Sequence, residues 1–376
     1  MPSVQNWFAK HRVEVMEWPT QSSDLNSHTT CIFGNRGVDS AAGSDDRRRP
    51  RVEMCIYRNI TIEDHRFLQF VLNWLAVFEI PLHTLGAYIV MWKTPKVMLP
   101  VKPSMLLLHF TCVWHDMCLC VLVVPFIIFQ AGAGFSLGIL LKIGVTMPYI
   151  IYIGVTTTFL LAPAVVFFFE DRYNTLVRRD SNTRSRKIKR IVYFTINYLL
   201  MLVALIPTLS NVPDQKEAKA LTLRQFPCLP PDILDTPGQG CHDITVLAIS
   251  SMSVNFFGFV QIAFFFGATA LKVFNMKTAS KRTSEMQKHL FKCLCLQVAT
   301  PILIIVIPCS YVIVLSAISY LDQAVNNIVC ILLTVYGALS TISMLTVHKP
   351  YRLATLQLFR FRSSTAPTSL FVNSLS

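Results

Sequence analysis

"VTMPYIIYIGVTTTFLLAPAVVFFFEDRY", residues 145–173, contains no charged side chain from Val145 to Phe169 and then closes on four consecutive polar residues, Glu170, Asp171, Arg172 and Tyr173. About 20 apolar residues suffice to cross a bilayer as a helix, and backbone facing lipid has no alternative to a helix or a closed barrel. This stretch therefore reads as a membrane span that ends abruptly at a water interface. Working outward, six more stretches have the same character: 67–92, 104–130, 191–210, 244–271, 293–318 and 324–347. Their interiors hold Pro81, Pro125, Pro163, Pro207, Pro301 and Pro308, which would damage soluble helices but are ordinary where neighbouring helices satisfy the freed carbonyls. Composition agrees, since 53% of the 376 residues are apolar and only 15% are charged. The fold class is an all-α membrane protein, a seven-transmembrane helix bundle.

The net charge of +13 gains its meaning from where it falls. The loops 93–103, 170–190 and 272–292 and the segment from 348 onward hold three, eight, six and four Lys/Arg, together 21, whereas the alternate loops hold four. Short cytoplasmic loops retain Lys and Arg, so the amino terminus is expected outside and the carboxyl terminus in the cytosol. Basic segments interrupted by spans do not form a nucleic-acid surface; membrane lipid head groups are the expected neighbours. Eleven cysteines occur without a CxxC pair, so neither metal nor cofactor is expected. No catalytic constellation stands out, and the chain does not read as an enzyme.

The segment before the first span disagrees with the rest. It carries nine Lys/Arg, with Arg47, Arg48, Arg49, Arg51, Arg58 and Arg66 close to the membrane, and would favour the reverse insertion of the first helix. Within it, "WFAKHRVEVMEWPTQSSDLN", residues 7–26, resembles the end of the catalytic domain of mariner-type transposases. The last metal-binding Glu of that domain would fall on Thr29, so catalysis is not implied. Residues 1–53 read as a disordered extension with a transposase-like remnant, 54–355 as the seven-transmembrane domain and 356–376 as a cytoplasmic tail. There is no signal-peptide pattern, and initiation at Met54 would remove most of the conflict.

Four strings carry a second resemblance: "EIPLHTLGAYIVMWKTPKVMLPVK" from Glu79, "LHFTCVWHDMCLCVLVVPF" at 108–126, "FFFEDRY" at 167–173 and "GALSTISMLTVHKPYR" at 337–352. Together they resemble the nematode serpentine chemoreceptors of class H, over residues 60–355. The resemblance implies a chemosensory G-protein-coupled receptor that binds a small-molecule ligand and engages a heterotrimeric G protein. It also implies a place in the plasma membrane, on the sensory cilia of chemosensory neurons. "EDRY" is similar to the D/E-R-Y element of rhodopsin-like receptors. On that likeness Arg172, held by an adjacent carboxylate, keeps the bundle closed, with Pro350, Tyr351 and Arg352 at the exit of the seventh span.

Residues in the spans can also be read from their own chemistry. An ionisable group inside a membrane is costly and needs a partner. Asp116 sits mid-span beside His115, with His109 on the same face. It could bind an ion or pair with Asn326 or Asn327. Glu79 and His83, four apart, are expected as a hydrogen-bonded pair. Receptors of this shape bind ligands in their outer halves, which nominates Tyr149, Tyr152, Asn255, Tyr311 and Asn326 by position. Cys228 and Cys241 are expected to close a disulfide in the outer loop, and Asn59-Ile60-Thr61 is a glycosylation acceptor. The competing architectures are a seven-span ligand-gated cation channel of opposite topology, disfavoured by loop charge and the lack of pore charges, and a non-functional receptor relic.

Overall fold

The computed structural model describes residues 55–363, apart from 59, 208–213, 230–232, 234–238, 242–243, 276–294, 297–298 and 319. The transposase-like string, Asn59, most of the 272–292 loop and the end of the tail lie outside the described residues. In chain order the main helices are α1 (His65–Trp92), α2 (Met98–Val123), α3 (Met147–Leu176), α4 (Arg184–Ala204), α5 (Ile249–Phe274), α6 (Ala299–Ala317), α7 (Gln323–Val347) and α8 (Lys349–Ser363). Among the described residues, six of these are long and apolar enough to cross a membrane. α4 occupies the remaining position, and its first turns hold Arg184, Arg186, Lys187, Lys189 and Arg190. It starts seven residues earlier than its apolar stretch because Thr183 caps it, accepting from the Arg186 amide at 3.3 Å.

Burial differs between helices. Half of the apolar window of α3 is buried, against 11% for α6. α3 is thus the central post, packed chiefly by α2 and α5, while the outer faces of α5 and α6 turn large side chains outward, among them Phe256, Phe259, Phe264 and Leu303. Such surfaces require lipid.

The second span is shorter than its composition implies. A π turn at Cys118–Val123 ends α2, and Val124 follows with φ 44°, a backbone region that β-branched residues seldom adopt. Pro125 is the cause: it supplies no amide donor and pushes the residue before it out of the helical region. The chain then forms a hairpin of β2 (Pro125–Ile128) and β3 (Ala133–Ser136), instead of a helix reaching Gln130. A third strand, β4 (Gln239–Cys241), adds antiparallel to β3, with Ala133 opposite Cys241. Gly134 is required there, because a Cβ would lie 2.6 Å from the Phe126 carbonyl oxygen.

The hairpin plugs one end of the bundle. Phe126 stacks on Phe135 with ring centroids 4.8 Å apart, over Leu68 and Leu72 of α1 and Cys330 of α7. At the same end the short strand β1 (Cys55–Ile56) pairs in parallel with β5 (Leu321–Asp322). Arg58 clamps this junction, donating to Asp322 at 2.8 and 3.2 Å and to Glu63 at 3.3 Å. Its bond to Asp322 raises the guanidinium pKa above the ordinary value. Asp322 also caps α7, accepting from the Ala324 and Val325 amides. One of the two arginines nearest the first span is therefore neutralised in place, which reduces the charge conflict described above. The opposite end holds a second core, where Val90, Met105, Phe168, Phe194, Phe265, Met344 and Tyr351 meet.

Candidate functional site

Lipid tails are as apolar as leucine, so helices in a membrane adhere through close packing and polar bonds rather than through exclusion of water. The buried polar groups are accordingly the places to look for function. Among the described residues they gather at the hairpin end, around Asp322 and Asn326, at mid-membrane and at the arginine-rich end; the last two are the candidate centres.

At the mid-membrane centre Asp116 is fully buried, and each of its oxygens meets an imidazole. His83 Nε2 lies 3.0 Å from Oδ2 and His115 Nδ1 lies 3.0 Å from Oδ1. A carboxylate accepts, so both rings donate. The other nitrogen of His83 lies 3.1 Å from Thr341 Oγ1 on α7, and His109 Nε2 donates to the His83 carbonyl at 3.1 Å. Insertion of a carboxylate at mid-bilayer costs about 2.5–3.5 kcal/mol, and two charge-assisted bonds of about 1.5–3 kcal/mol each offset it. Asp116 therefore joins α1 to α2, and through Thr341 to α7. Gly337 makes the arrangement possible, since a Cβ at that position would overlap the Asp116 carboxylate.

Two expectations for this centre need correction. Asp116 does not pair with Asn326 or Asn327. Asn326 instead exchanges hydrogen bonds with Gln130 of the hairpin at 2.9 and 3.2 Å, while Asn327 donates to the Ile62 carbonyl. Nor are Glu79 and His83 hydrogen-bonded to each other. His83 is taken by Asp116 and Thr341. Glu79 accepts only a thiol, from Cys120 at 3.6 Å, and its Oε1 has no hydrogen-bond partner among the described residues. Helical spacing places two residues on one face but does not say which neighbouring helix supplies the better partner. No metal-ligand spacing is present in the sequence, yet the fold gathers ligand atoms of Glu79, His83 and Asp116 within 4.8 Å of one another.

The second centre lies where α3 meets α4. Glu170 accepts from Arg186 at 2.6 Å and Arg190 at 2.8 Å; Asp171 accepts from Arg190 at 2.7 Å and from Ser104 of α2 at 2.9 Å. Arg186 also reaches Asn174 at 3.0 Å. Both carboxylates are buried, so two positive and two negative charges form one neutral block tying α3 to α4 and α2. All four oxygens of the carboxylates adjacent to Arg172 are thus engaged by α4 and Ser104. Residues one apart point about 100° away from each other around a helix, and the carboxylates reach across to α4. The Arg172 guanidinium sits 4.9 Å from the centre of the Phe168 ring. Tyr351, fully buried at the start of α8, lies 3.1 Å from Thr94 Oγ1 and 3.6 Å from Met105 Sδ. Burial raises its phenol pKa, against the charge of Arg172, which is near enough to oppose the shift. Pro350 and Arg352 are exposed. Arg186 and Arg190 were legible only as loop charge, although their spacing of four on an amphipathic start would have placed both on one face.

The residues nominated for a ligand pocket do not converge. Tyr149 and Tyr311 are more than half exposed, and Asn255 is exposed and bonds the carbonyl of Ser251 on its own helix. Tyr152 donates to the Leu202 carbonyl across the seam between α3 and α4, and Asn326 is engaged by Gln130. A cavity of ≈ 20 Å³, room for about one water, lies instead in the arginine-side half, lined by Met105, His109, Phe168, Tyr336, Thr341 and Met344. Cys228 is disulfide-bonded. The backbone of Cys241 lies in β4, but its side chain falls outside the described residues, as does Asn59.

Comparison with known proteins agrees with this architecture. Residues 63–361 match the family described as serpentine type 7TM GPCR chemoreceptor Srh. The chain is also 25% identical over 306 residues to serpentine receptor class H-72 of Caenorhabditis elegans, covering 78% of this chain and 85% of that receptor. The family match begins at Glu63.

Proposed function

Because the chain belongs to the serpentine type seven-transmembrane GPCR chemoreceptor family Srh, we propose that it is a chemosensory receptor which takes a small chemical ligand between its helices and activates a heterotrimeric G protein. It is a multi-pass membrane protein; in our reading its hairpin end faces outward and its arginine-rich end faces the cytosol, as the loop charges require. Residues 54–355 form the receptor proper, and residues 1–53 are a separate extension with a transposase-like remnant. The outer loop is stapled by a Cys228–Cys241 bridge, and Asn59 is available for glycosylation. We place the protein in the plasma membrane of chemosensory neurons, on their cilia.

The observation that carries this reading is the neutral block of Glu170, Asp171, Arg186 and Arg190 beside Arg172 and Tyr351. A receptor needs an element with two arrangements whose balance a ligand can shift. Ion pairs that join α3, α4 and α2 at the cytosolic end hold one arrangement, and separation of these helices would uncover Arg172 for a partner.

The test is expression with a panel of Gα reporters and exposure to pooled small odorants and soluble metabolites. The expected result is a G-protein response in the parent chain that Arg172→Ala abolishes at unchanged surface level. Ligand-evoked current that persists without G proteins would favour the channel reading instead.

A further inference from the structure

We propose that Glu79, His83 and Asp116 form an intramembrane site for a divalent transition metal of the zinc class. Glu79 and His83 stand one turn apart on α1 and face Asp116 on α2, with one ligand atom from each inside a 4.8 Å group. All three are at least 97% buried. The second observation is Glu79 Oε1, an oxygen of one of the three gathered side chains that is buried and has no hydrogen-bond partner among the described residues. Buried polar atoms are nearly always partnered, and among the described residues the only bond on its other oxygen is a weak one from the Cys120 thiol.

The donor set selects the ion. One imidazole nitrogen and two carboxylates make the three-ligand pattern of zinc, with the fourth position going to water. A divalent charge balances two carboxylates where the dielectric is low, whereas a monovalent ion would leave one charge uncompensated. Calcium and magnesium demand six or more oxygens, which these side chains do not supply. The supporting shell is already built. His83 Nδ1 is oriented by Thr341 at 3.1 Å, and Asp116 Oδ1 is held by His115 at 3.0 Å; such outer partners fix the ligands of metal sites. To free Nε2 for the ion, the neutral His83 ring shifts its proton from Nε2, where it faces Asp116 at 3.0 Å, to Nδ1, which then donates to Thr341 Oγ1 at 3.1 Å; a proton carried by the carboxyl of Glu79 leaves to water as the ion binds. Thr341 and His109, which touch the cluster, also line a small cavity with room for about one water. Bound metal would staple α1 to α2.

The experiment uses the full chain purified into lipid nanodiscs and the metal alone as probe. After incubation with Zn2+ and removal of the free ion, the parent chain should retain about one zinc per receptor and melt at a higher temperature. Glu79→Gln, which keeps the volume and still accepts from Cys120, should bind at least tenfold more weakly. Equal retention by the two chains, or retention by neither, overturns the site. Should Glu79→Gln fail to fold, Co2+ in the parent chain decides. Visible bands of a tetrahedral nitrogen and oxygen site support the assignment, and a thiolate-to-cobalt charge-transfer band or no visible band overturns it.

Discussion

Arg190→Ala should lower the stability of the purified receptor by about 3–5 kcal/mol, the cost of removing one partner from a buried ion pair. Arg190 donates through Nε to Glu170 and through Nη2 to Asp171, and both carboxylates are buried. With the guanidinium gone, the side-chain bonds left among those described are Arg186 to Glu170 and the Ser104 hydroxyl to Asp171. Arg190→Lys should fall between the two, since a point charge on a flexible stem cannot serve two acceptors with the geometry of the fork. The internal control is Arg178→Ala. Its pair with Asp180 has a similar distance, 2.9 Å, but both side chains are more than 40% exposed, so the melting temperature should stay where it is. Melting curves in one detergent compare the three, and equal losses for Arg190→Ala and Arg178→Ala would remove the distinction on which the block rests.

Gly337→Ala is expected to be nearly as damaging, for a different reason. The added methyl would occupy the volume of the Asp116 carboxylate. Overpacking of a tight interior costs about 1–3 kcal/mol, and displacing Asp116 would also weaken its bonds to His83 and His115. Together these should cost about 3 kcal/mol or more, read as a large loss of folded receptor at the cell surface. The pairing can be tested by a double-mutant cycle. Removing the carboxylate makes room, so Gly337→Ala combined with Asp116→Ala should be no worse than Asp116→Ala alone. A Gly337→Ala receptor that melts with the parent chain would show that α2 and α7 do not approach as described.

Both substitutions act on features of unequal legibility in the sequence. The spans were readable because length and apolarity are imposed by the bilayer, and Asp116 was readable because a carboxylate in such a stretch is costly wherever it sits. The partner of Asp116 was not, because inter-helix neighbours depend on rotation and crossing, which a single helix does not record. The hairpin at 125–136 was hidden for another reason. Its residues are as apolar as those of α2, since they pack over Leu68, Leu72 and Cys330, so composition merges them with the span. Pro125 is the available signal, but a proline in an apolar stretch is equally what a membrane helix tolerates. Arg186 and Arg190 were counted as interior-facing charge, and that count could not separate a solvated loop from the first turns of a capped helix. Gly337 carried no signal at all without its neighbour.

The measurement that tests the account most directly places one epitope in the 226–241 loop and another at the carboxyl terminus, then compares intact with permeabilised cells. The account predicts that the loop tag is stained on intact cells and the terminal tag only after permeabilisation, which puts the Glu170–Arg190 block at the cytosol where a G protein could read it. The terminal tag stained on intact cells, with the loop tag hidden, would contradict it and leave a chain inserted the other way round.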